Sequence, residues 1–415
     1  MKRAVAPLRE REFRLLFGAR VVSFLGNAMA PVALAFAVLD LTGSKSDLGF
    51  VLAARQGAQI AFLLVGGVWA DRLPRHRVMV ASNVASGASQ AALAALLLAG
   101  QGRIWELLVI SAVNGTSSAF FFPASTGIVP QTVPPSLLQD ANALLRLGLN
   151  ASLILGAALG GVIVGAASPG VAIAVDAGSF AVAAWLTAAM RLPASLRLEA
   201  QNLLAEVREG WREFSSRPWL WAIVLQFSFI VAAENGALGT LGPVVAKERL
   251  GGAAVWGAVL ASESGGLILA GLVMLRLRPR RLLLAATLGV FAMPIVQFAL
   301  AVPLSAPLVC AAAFAAGLGI EVFGVLWDTT MQQEIPPEKL SRVSAYDALG
   351  SFILMPLGFV AIPVIAGAVG NRATFLGTGV LITLVTAAVL LVEDVRRLER
   401  RAVVSAPDAE GIAAA

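Results

Sequence analysis

The chain has 415 residues, of which 58% are hydrophobic and only 13% charged, and its mean hydropathy is +0.82. A soluble domain carries charge on roughly a quarter of its residues, so water alone cannot solvate this chain and its solvent must include lipid. The formal charge of +6 comes from 31 Lys and Arg against 25 Asp and Glu. That basic excess is spread over loops on one membrane face, which excludes nucleic acid as its reason.

The N-terminal stretch M-K-R-A-V-A-P-L-R-E-R-E-F-R has no short apolar core followed by a small-residue cleavage site, so it is expected to remain as a cytoplasmic tail. Apolar runs of about 20 residues then recur, each long enough to cross a hydrocarbon core of about 30 Å as a helix. Twelve spans are expected, over 13–39, 46–70, 78–99, 104–131, 138–167, 170–191, 218–245, 252–275, 281–302, 306–332, 339–368 and 371–392. Between Arg191 and Arg217 the apolar pattern breaks for its longest stretch. There L-E-A-Q-N-L-L-A-E-V-R-E-G-W-R-E-F sets Leu, Val, Trp and Phe among Glu and Arg at helical spacing, as in a helix lying on the membrane surface.

The expected organisation is an all-α integral membrane fold. A cytoplasmic tail (1–12) leads into a six-helix bundle (13–192), an amphipathic linker (193–217), a second six-helix bundle (218–392) and a disordered cytoplasmic tail (393–415). With both termini on the cytoplasmic face, 23 of the 31 Lys and Arg fall on that side. The other loops hold only Lys45, Arg103, Lys247, Arg249 and Arg372, and Arg20, Arg55 and Arg146 lie within helices. Short loops rich in Lys and Arg stay cytoplasmic, so this asymmetry sets the expected orientation. The single cysteine, Cys310, sits in L-V-C-A-A, cannot form an intramolecular disulfide, and reads as a small packed side chain.

The halves repeat. At an offset of 202 residues Q-T-V-P-P-S-L-L (131–138) meets Q-E-I-P-P-E-K-L (333–340). At an offset of 204, R-L-P-R-H-R (72–77) meets R-L-R-P-R-R (276–281). Six helices return the chain to the same face, so the repeat is parallel and a central cavity between two bundles is expected.

The loop after the second span, G-G-V-W-A-D-R-L-P-R-H-R, resembles the loop motif of the major facilitator superfamily, with Gly67, Asp71, Arg72, Arg75 and Arg77 at the matching positions. L-D-L-T-G-S-K-S-D-L-G-F-V (39–51), F-F-F-P-A-S-T-G-I-V-P-Q-T-V-P-P-S-L-L-Q-D-A-N-A-L (120–144) and the linker entering R-P-W-L (217–220) are similar to the branch of enterobactin exporters and macrolide efflux pumps. The resemblance runs over residues 10–395. It implies alternating access by rocking of two pseudo-symmetric halves, with export of a lipophilic small molecule driven by proton entry and no cofactor. Two departures stand out. The fourth span reads I-S-A-V-N-G (110–115), without the arginine of many proton antiporters, and Leu275 replaces the loop acid in the second half.

Ionisable groups at membrane depth cost about 2.5 to 3.5 kcal/mol on insertion scales and so tend to face a cavity or a partner. Glu234 lies about 24 Å into the seventh span and Glu263 about 17 Å into the eighth, at 1.5 Å per residue. Both are candidates for proton coupling or substrate recognition, together with Asn235, whose surroundings E-N-G-A-L-G-T-L-G-P let a helix break, and with Glu321 in G-L-G-I-E-V-F-G. The competing reading for Glu234 and Glu263 is structural pairing with a lysine or arginine, or a protonated carboxyl against Asn235. Two readings stand for Asp347: a pair with a basic loop residue such as Arg276, or exposure to the pore. For Gly67, Asp71, Arg72 and Arg75 the functional reading is a gating latch and the plainer one a topology signal. Asp and Glu contribute little to topology, which favours the latch for Asp71 and Arg72. Arg146 is the expected partner of Asp71, Asp328 the second-half counterpart, and Arg20 is expected to snorkel inward. Arg55 is expected to pair with Asp40 or Asp47. Phe120, Phe121, Phe122, Trp256, Trp327 and Tyr346 pack or anchor more readily than they line a cavity.

Other classes fare worse. His76 is the only histidine and sits in a charged loop, which excludes a Ser-His dyad and a His-paired metal site, and no lysine follows a glycine, so a phosphate-cradling G-K-[ST] is missing. No catalytic or metal-ligating residue is expected. The remaining alternatives are an importer of the same fold and a non-transporting sensor or scaffold. The expected partners are a small-molecule substrate, a proton and the bilayer of the cell membrane, with the chain acting as a monomer.

Overall fold

The structure, a computed structural model, describes residues 5–134, 137–192, 211–274, 276–277 and 279–399; within these, the side chains of 64–72, 126–127, 139, 143, 337–338 and 340–342 are not described. Among the described residues it is helical throughout, with a lone bridge between Arg281 and Glu399 in place of any strand. The first half holds α1 (Arg11–Thr42), α2 (Lys45–Arg72), α3 (Arg75–Leu98), α4 (Ile104–Gly127), α5 (Leu138–Ala166) and α6 (Pro169–Ala188). The second holds α7 (Pro218–Leu250), α8 (Ala253–Met274), α9 (Leu282–Ala301), α10 (Ala306–Glu334), α11 (Pro337–Phe352 and Met355–Val369) and α12 (Asn371–Val389). Among the described residues eleven stretches are long and apolar enough to cross a membrane, and α2, 28 residues long, stands in the remaining place.

Prolines set the interruptions, because they lack an N–H and open the ladder behind them. α9 is broken at 291–293 ahead of Pro294, and α11 at 353–354 ahead of Pro356. The stretch E-N-G-A-L-G-T-L-G-P (234–243) was expected to let α7 break; the helix runs unbroken through Glu234 to Thr240, and its irregularity falls at Leu241, just before Gly242 and Pro243. The linker positions 193–210 lie outside the described residues, whereas 211–215 are helical. The tail expected to be disordered from 393 begins with a helix, Glu393–Arg397, before the description ends.

The helix contacts repeat with a shift of six. α2 packs on α4 as α8 on α10, α1 on α5 as α7 on α11, α3 on α6 as α9 on α12, and α1 on α6 as α7 on α12. Between the halves the pairs α2·α11 and α5·α8 are again equivalent. The same symmetry holds at single residues. Gly115 of α4 lies against the Arg55 carbonyl of α2, and Gly317 of α10, 202 residues later, lies against the Glu263 carbonyl of α8. A Cβ at either glycine would collide with that backbone, so only glycine permits these crossings.

The halves share a buried apolar core at the end away from the termini, where Leu34, Val38, Leu48 and Leu93 join Val245, Trp256, Val259, Leu300 and Ile362. At the terminal end the cores are separate: Phe13, Leu16, Met79, Ile128 and Leu145 in the first half, Leu220, Leu282, Phe323, Trp327 and Ile382 in the second. Polar fasteners add to the shared end, with Lys247 Nζ 2.5 Å from Asp40 Oδ1 and donating to Asp40, and Lys45 Nζ donating to Asn371 Oδ1 at 2.8 Å. Among the described residues the halves therefore share a core at the distal end and have separate cores toward the terminal end.

Candidate functional site

The symmetry places two stations at matching depth. In the second half, Glu234 of α7, with Asn235 next to it in the chain, lies within electrostatic reach of Glu263 of α8. Positions 208 residues earlier are Gly26 and Asn27 of α1 and Arg55 of α2. The station that is acidic in one half is thus basic in the other.

On the acidic side Glu234 is buried, 7% exposed, and its Oε1 has no hydrogen-bond partner. Glu263 lies within electrostatic reach of it. Asn235 does not cap the carboxylate; its Nδ2 donates to the Val231 carbonyl at 3.0 Å. The station thus pairs a buried carboxylate with a half-buried one at membrane depth.

The other predicted acids lie on α10 and α11. Glu321 has its Oε1 against Gly271. Asp328 is exposed. Asp347 forms no pair with Arg276; its Oδ2 accepts from Trp327 Nε1 at 3.0 Å and its Oδ1 from Ser351 at 3.5 Å. Arg146 of α5 reaches Glu321 and Asp328 electrostatically, from the opposite half. Its expected partner Asp71, with Gly67 and Arg72, lies outside the described side chains, and Arg75 opens α3.

On the basic side the expectation for Arg55 fails. Its Nη2 donates to Asn27 Oδ1 at 2.7 Å, and the acid that acts on it electrostatically is Asp176 of α6. Asp40 is taken by Lys247 at the distal end. Asp176, fully buried, was not singled out from the sequence. Gln90 Nε2 donates to its Oδ2 at 2.6 Å, and Ser179 Oγ lies 3.4 Å from its Oδ1. The equivalent pair in the second half is Gln297 and Thr378, 3.3 Å apart. A symmetric hydrogen bond between third and sixth helices thus carries an acid in one half only. The signal was present, since Asp176 is the lone charge in an apolar helix of 20 residues. Beside Arg55 opens a cavity of about 150 Å³ whose polar wall is Ser23, Asn27, Arg55, Gln59, Asn83, Ser86 and Ser118.

The aromatic side chains divide. Trp219 and Trp327 pack edge to face at 5.6 Å and Phe227 stacks on Phe323 at 4.2 Å within the second-half core, while Phe121 and Phe122 line the first-half cavity. Trp256 is buried against Gly242. Arg20 does not reach a carboxylate; its guanidinium lies over the Phe24 ring, 5.5 Å from the centroid.

Comparison with known proteins gives these features a frame. The family model of the Major Facilitator Superfamily matches residues 16–358. Macrolide efflux protein A of Streptococcus pyogenes is 23% identical over 406 residues, covering 94% of this chain and 97% of that protein. The enterobactin exporter EntS of Escherichia coli O1:K1 / APEC is 26% identical over 388 residues, covering 90% and 91%. Among solved structures, an inward-facing, unoccupied bacterial homologue of the human lysosomal transporter Spinster superposes with a TM-score of 0.75 at 15% identity, covering 96% of this chain and 99% of that one. The nucleoside transporter NupG gives 0.71 at 12% identity, covering 91% and 98%. These last two speak for the fold. With its paired six-helix halves, its two membrane-depth stations and a family match over most of its length, the chain belongs to the major facilitator superfamily and is a multi-pass membrane transporter, not an enzyme.

Proposed function

We propose that the protein exports lipophilic small molecules from the cell by alternating access, driven by protons moving inward. The observation that carries this reading is the buried Glu234, with an unpartnered oxygen and a second carboxylate, Glu263, in electrostatic reach. A pair that holds one proton or none, according to which end is open, is what coupling requires. In this reading Glu234 and Glu263 exchange the proton, Asn235 and Asp347 shape their surroundings, and Glu321 meets substrate or proton on the way. The efflux relatives support the direction.

In the same proposal the terminal end is cytoplasmic, as the distribution of Lys and Arg favours, and the separate cores of the described residues there support an inward-open conformation. The mobile units are the bundles 13–192 and 218–392, joined by the linker 193–217. Closing the terminal end brings Arg146 to Glu321 and Asp328, while Gly67, Asp71, Arg72 and Arg75 form the latch on the first half. The test is uptake into inverted vesicles under an imposed pH gradient, with a panel of lipophilic antibiotics and siderophores. Gradient-dependent accumulation is expected. Accumulation indifferent to the gradient removes the coupling, and accumulation in right-side-out vesicles reverses the direction.

A further inference from the structure

The first-half cavity gathers buried polar groups that have no partner within the protein. Asn83 is 2% exposed and its Nδ2 has no partner; Asn114 is 3% exposed and neither its Nδ2 nor its Oδ1 has one. Asn83 lines the cavity of about 150 Å³, and Asn114 lines a small adjoining space that shares Arg55 as a wall. Burying an amide that nothing meets costs about 1–3 kcal/mol, so these two, which line spaces shared with Arg55, call for a partner from outside the protein. Arg55 spends one nitrogen on Asn27, and among the described residues no carboxylate lies within ion-pair distance of it. The facing charges are Asp176 of α6, whose oxygens are engaged by Gln90 and Ser179, and Arg20 of α1, stacked on the Phe24 ring at the cavity wall. Positive charge and free donors therefore outnumber acceptors. The apolar wall consists of Phe24, Phe121, Phe122 and Phe180, flat faces suited to a ring.

We propose that this cavity is a substrate subsite of the first half, and that it receives an acidic oxygen group, carboxylate or phenolate, carried on a planar apolar ring. A guanidinium with free N–H groups recognises such oxygens by charge-assisted hydrogen bonds. The Asn83 amide supplies a further donor, and the phenylalanine faces hold the ring. The equivalent station of the second half is acidic, so an acidic group is steered to the first half and the proton to the second. The inference names the substrate class for the transporter proposed above and rests on its being a small-molecule carrier.

The test uses the full-length chain in lipid nanodiscs and 1-naphthoate as probe, with 1-naphthamide as its neutral isostere, by equilibrium dialysis. Naphthoate is expected to bind at least about tenfold more tightly than naphthamide, the scale of one charge-assisted hydrogen bond. Arg55→Gln should abolish that preference and Arg55→Lys should keep part of it. Asn83→Leu replaces an unpartnered amide by an apolar group of similar size, so it should weaken naphthoate without lowering the unfolding temperature. Equal binding of acid and amide by the wild-type chain, or an unchanged preference in Arg55→Gln, overturns the subsite. Because the assay involves no gradient, its failure alongside gradient-driven transport removes only this inference. Success alongside gradient-independent transport removes only the proton coupling.

Discussion

Glu234 is the side chain on which the coupling proposal can be tested most directly. Glutamine keeps its shape and removes its charge, and no partner is left behind since Oε1 has none. Glu234→Gln should fold normally and lower gradient-driven uptake by roughly 5- to 150-fold, the range of a single coupling free energy of about 1–3 kcal/mol. Unchanged gradient dependence in inverted vesicles would sink the assignment. Glu213, just ahead of α7, offers a test in water. It accepts from Lys339 Nζ at 2.9 Å and pairs with Arg217 Nη2 at 2.5 Å, and these bonds, Lys339 first, hold its carboxyl below the usual range. A depressed carboxylate stabilises the fold above its unfolded pKa, and that stabilisation is lost as pH falls through the folded value. The pairs are partly exposed, so their worth is about 1 kcal/mol or less. Thermal unfolding of the wild type should therefore fall more steeply on acidification below the ordinary carboxylate range than that of Glu213→Gln, and parallel curves would count against the anchor.

At the scale of elements, the reading of twelve spans from apolar run length came close to the helices found, because run length is set by bilayer thickness and needs no knowledge of packing. What run length could not supply is the register of one helix on another. Arg55 lies two helical turns, about 12 Å, from Asp47 along its own helix, so that pairing was out of reach. The crossing of α1 and α2 put Asn27 there instead. Asp176 was likewise passed over, since only the packing of α3 on α6 shows it held by Gln90. Contact between the halves on the α5·α8 side depends on Gly161 and Gly257, whose Cα atoms leave no room for a side chain: a Cβ on either would come 3.0 Å from the other's Cα. Gly161→Val should cost about 1–3 kcal/mol as an overpacked contact and loosen the distal end. Maleimide labelling of a cysteine placed at Asp40 should then rise, and unchanged labelling would place the closure elsewhere.

For the whole molecule, the described residues share a core at one end and have separate cores at the other, and the proposed alternating access requires the reverse arrangement as well. Arg146 of the first half and Asp328 of the second lie within electrostatic reach of each other toward the terminal end. In a Cys310→Ala background, joining Arg146→Cys to Asp328→Cys with a bifunctional maleimide should stop transport, and reagent lacking the second maleimide should not. A linked protein that still transports at the unlinked rate would rule out closure at this end.

Composition and apolar periodicity by themselves determined that the chain lives in lipid, crosses it about twelve times and is built from two related halves, because hydrophobic run length and repetition are one-dimensional properties. The loop motif at Gly67, Asp71 and Arg72 pointed to the family on the same terms, and the depths of Glu234 and Glu263 could be counted in residues. Only the tertiary structure decided which of these groups are neighbours. It set Arg55 on Asn27, Gln90 on Asp176 and Glu234 near Glu263, and it revealed that equivalent stations carry opposite charges. The physical reason is that a membrane fixes how deep a residue sits, whereas helix crossings, set here by glycines such as Gly115 and Gly317, fix which residues meet at that depth.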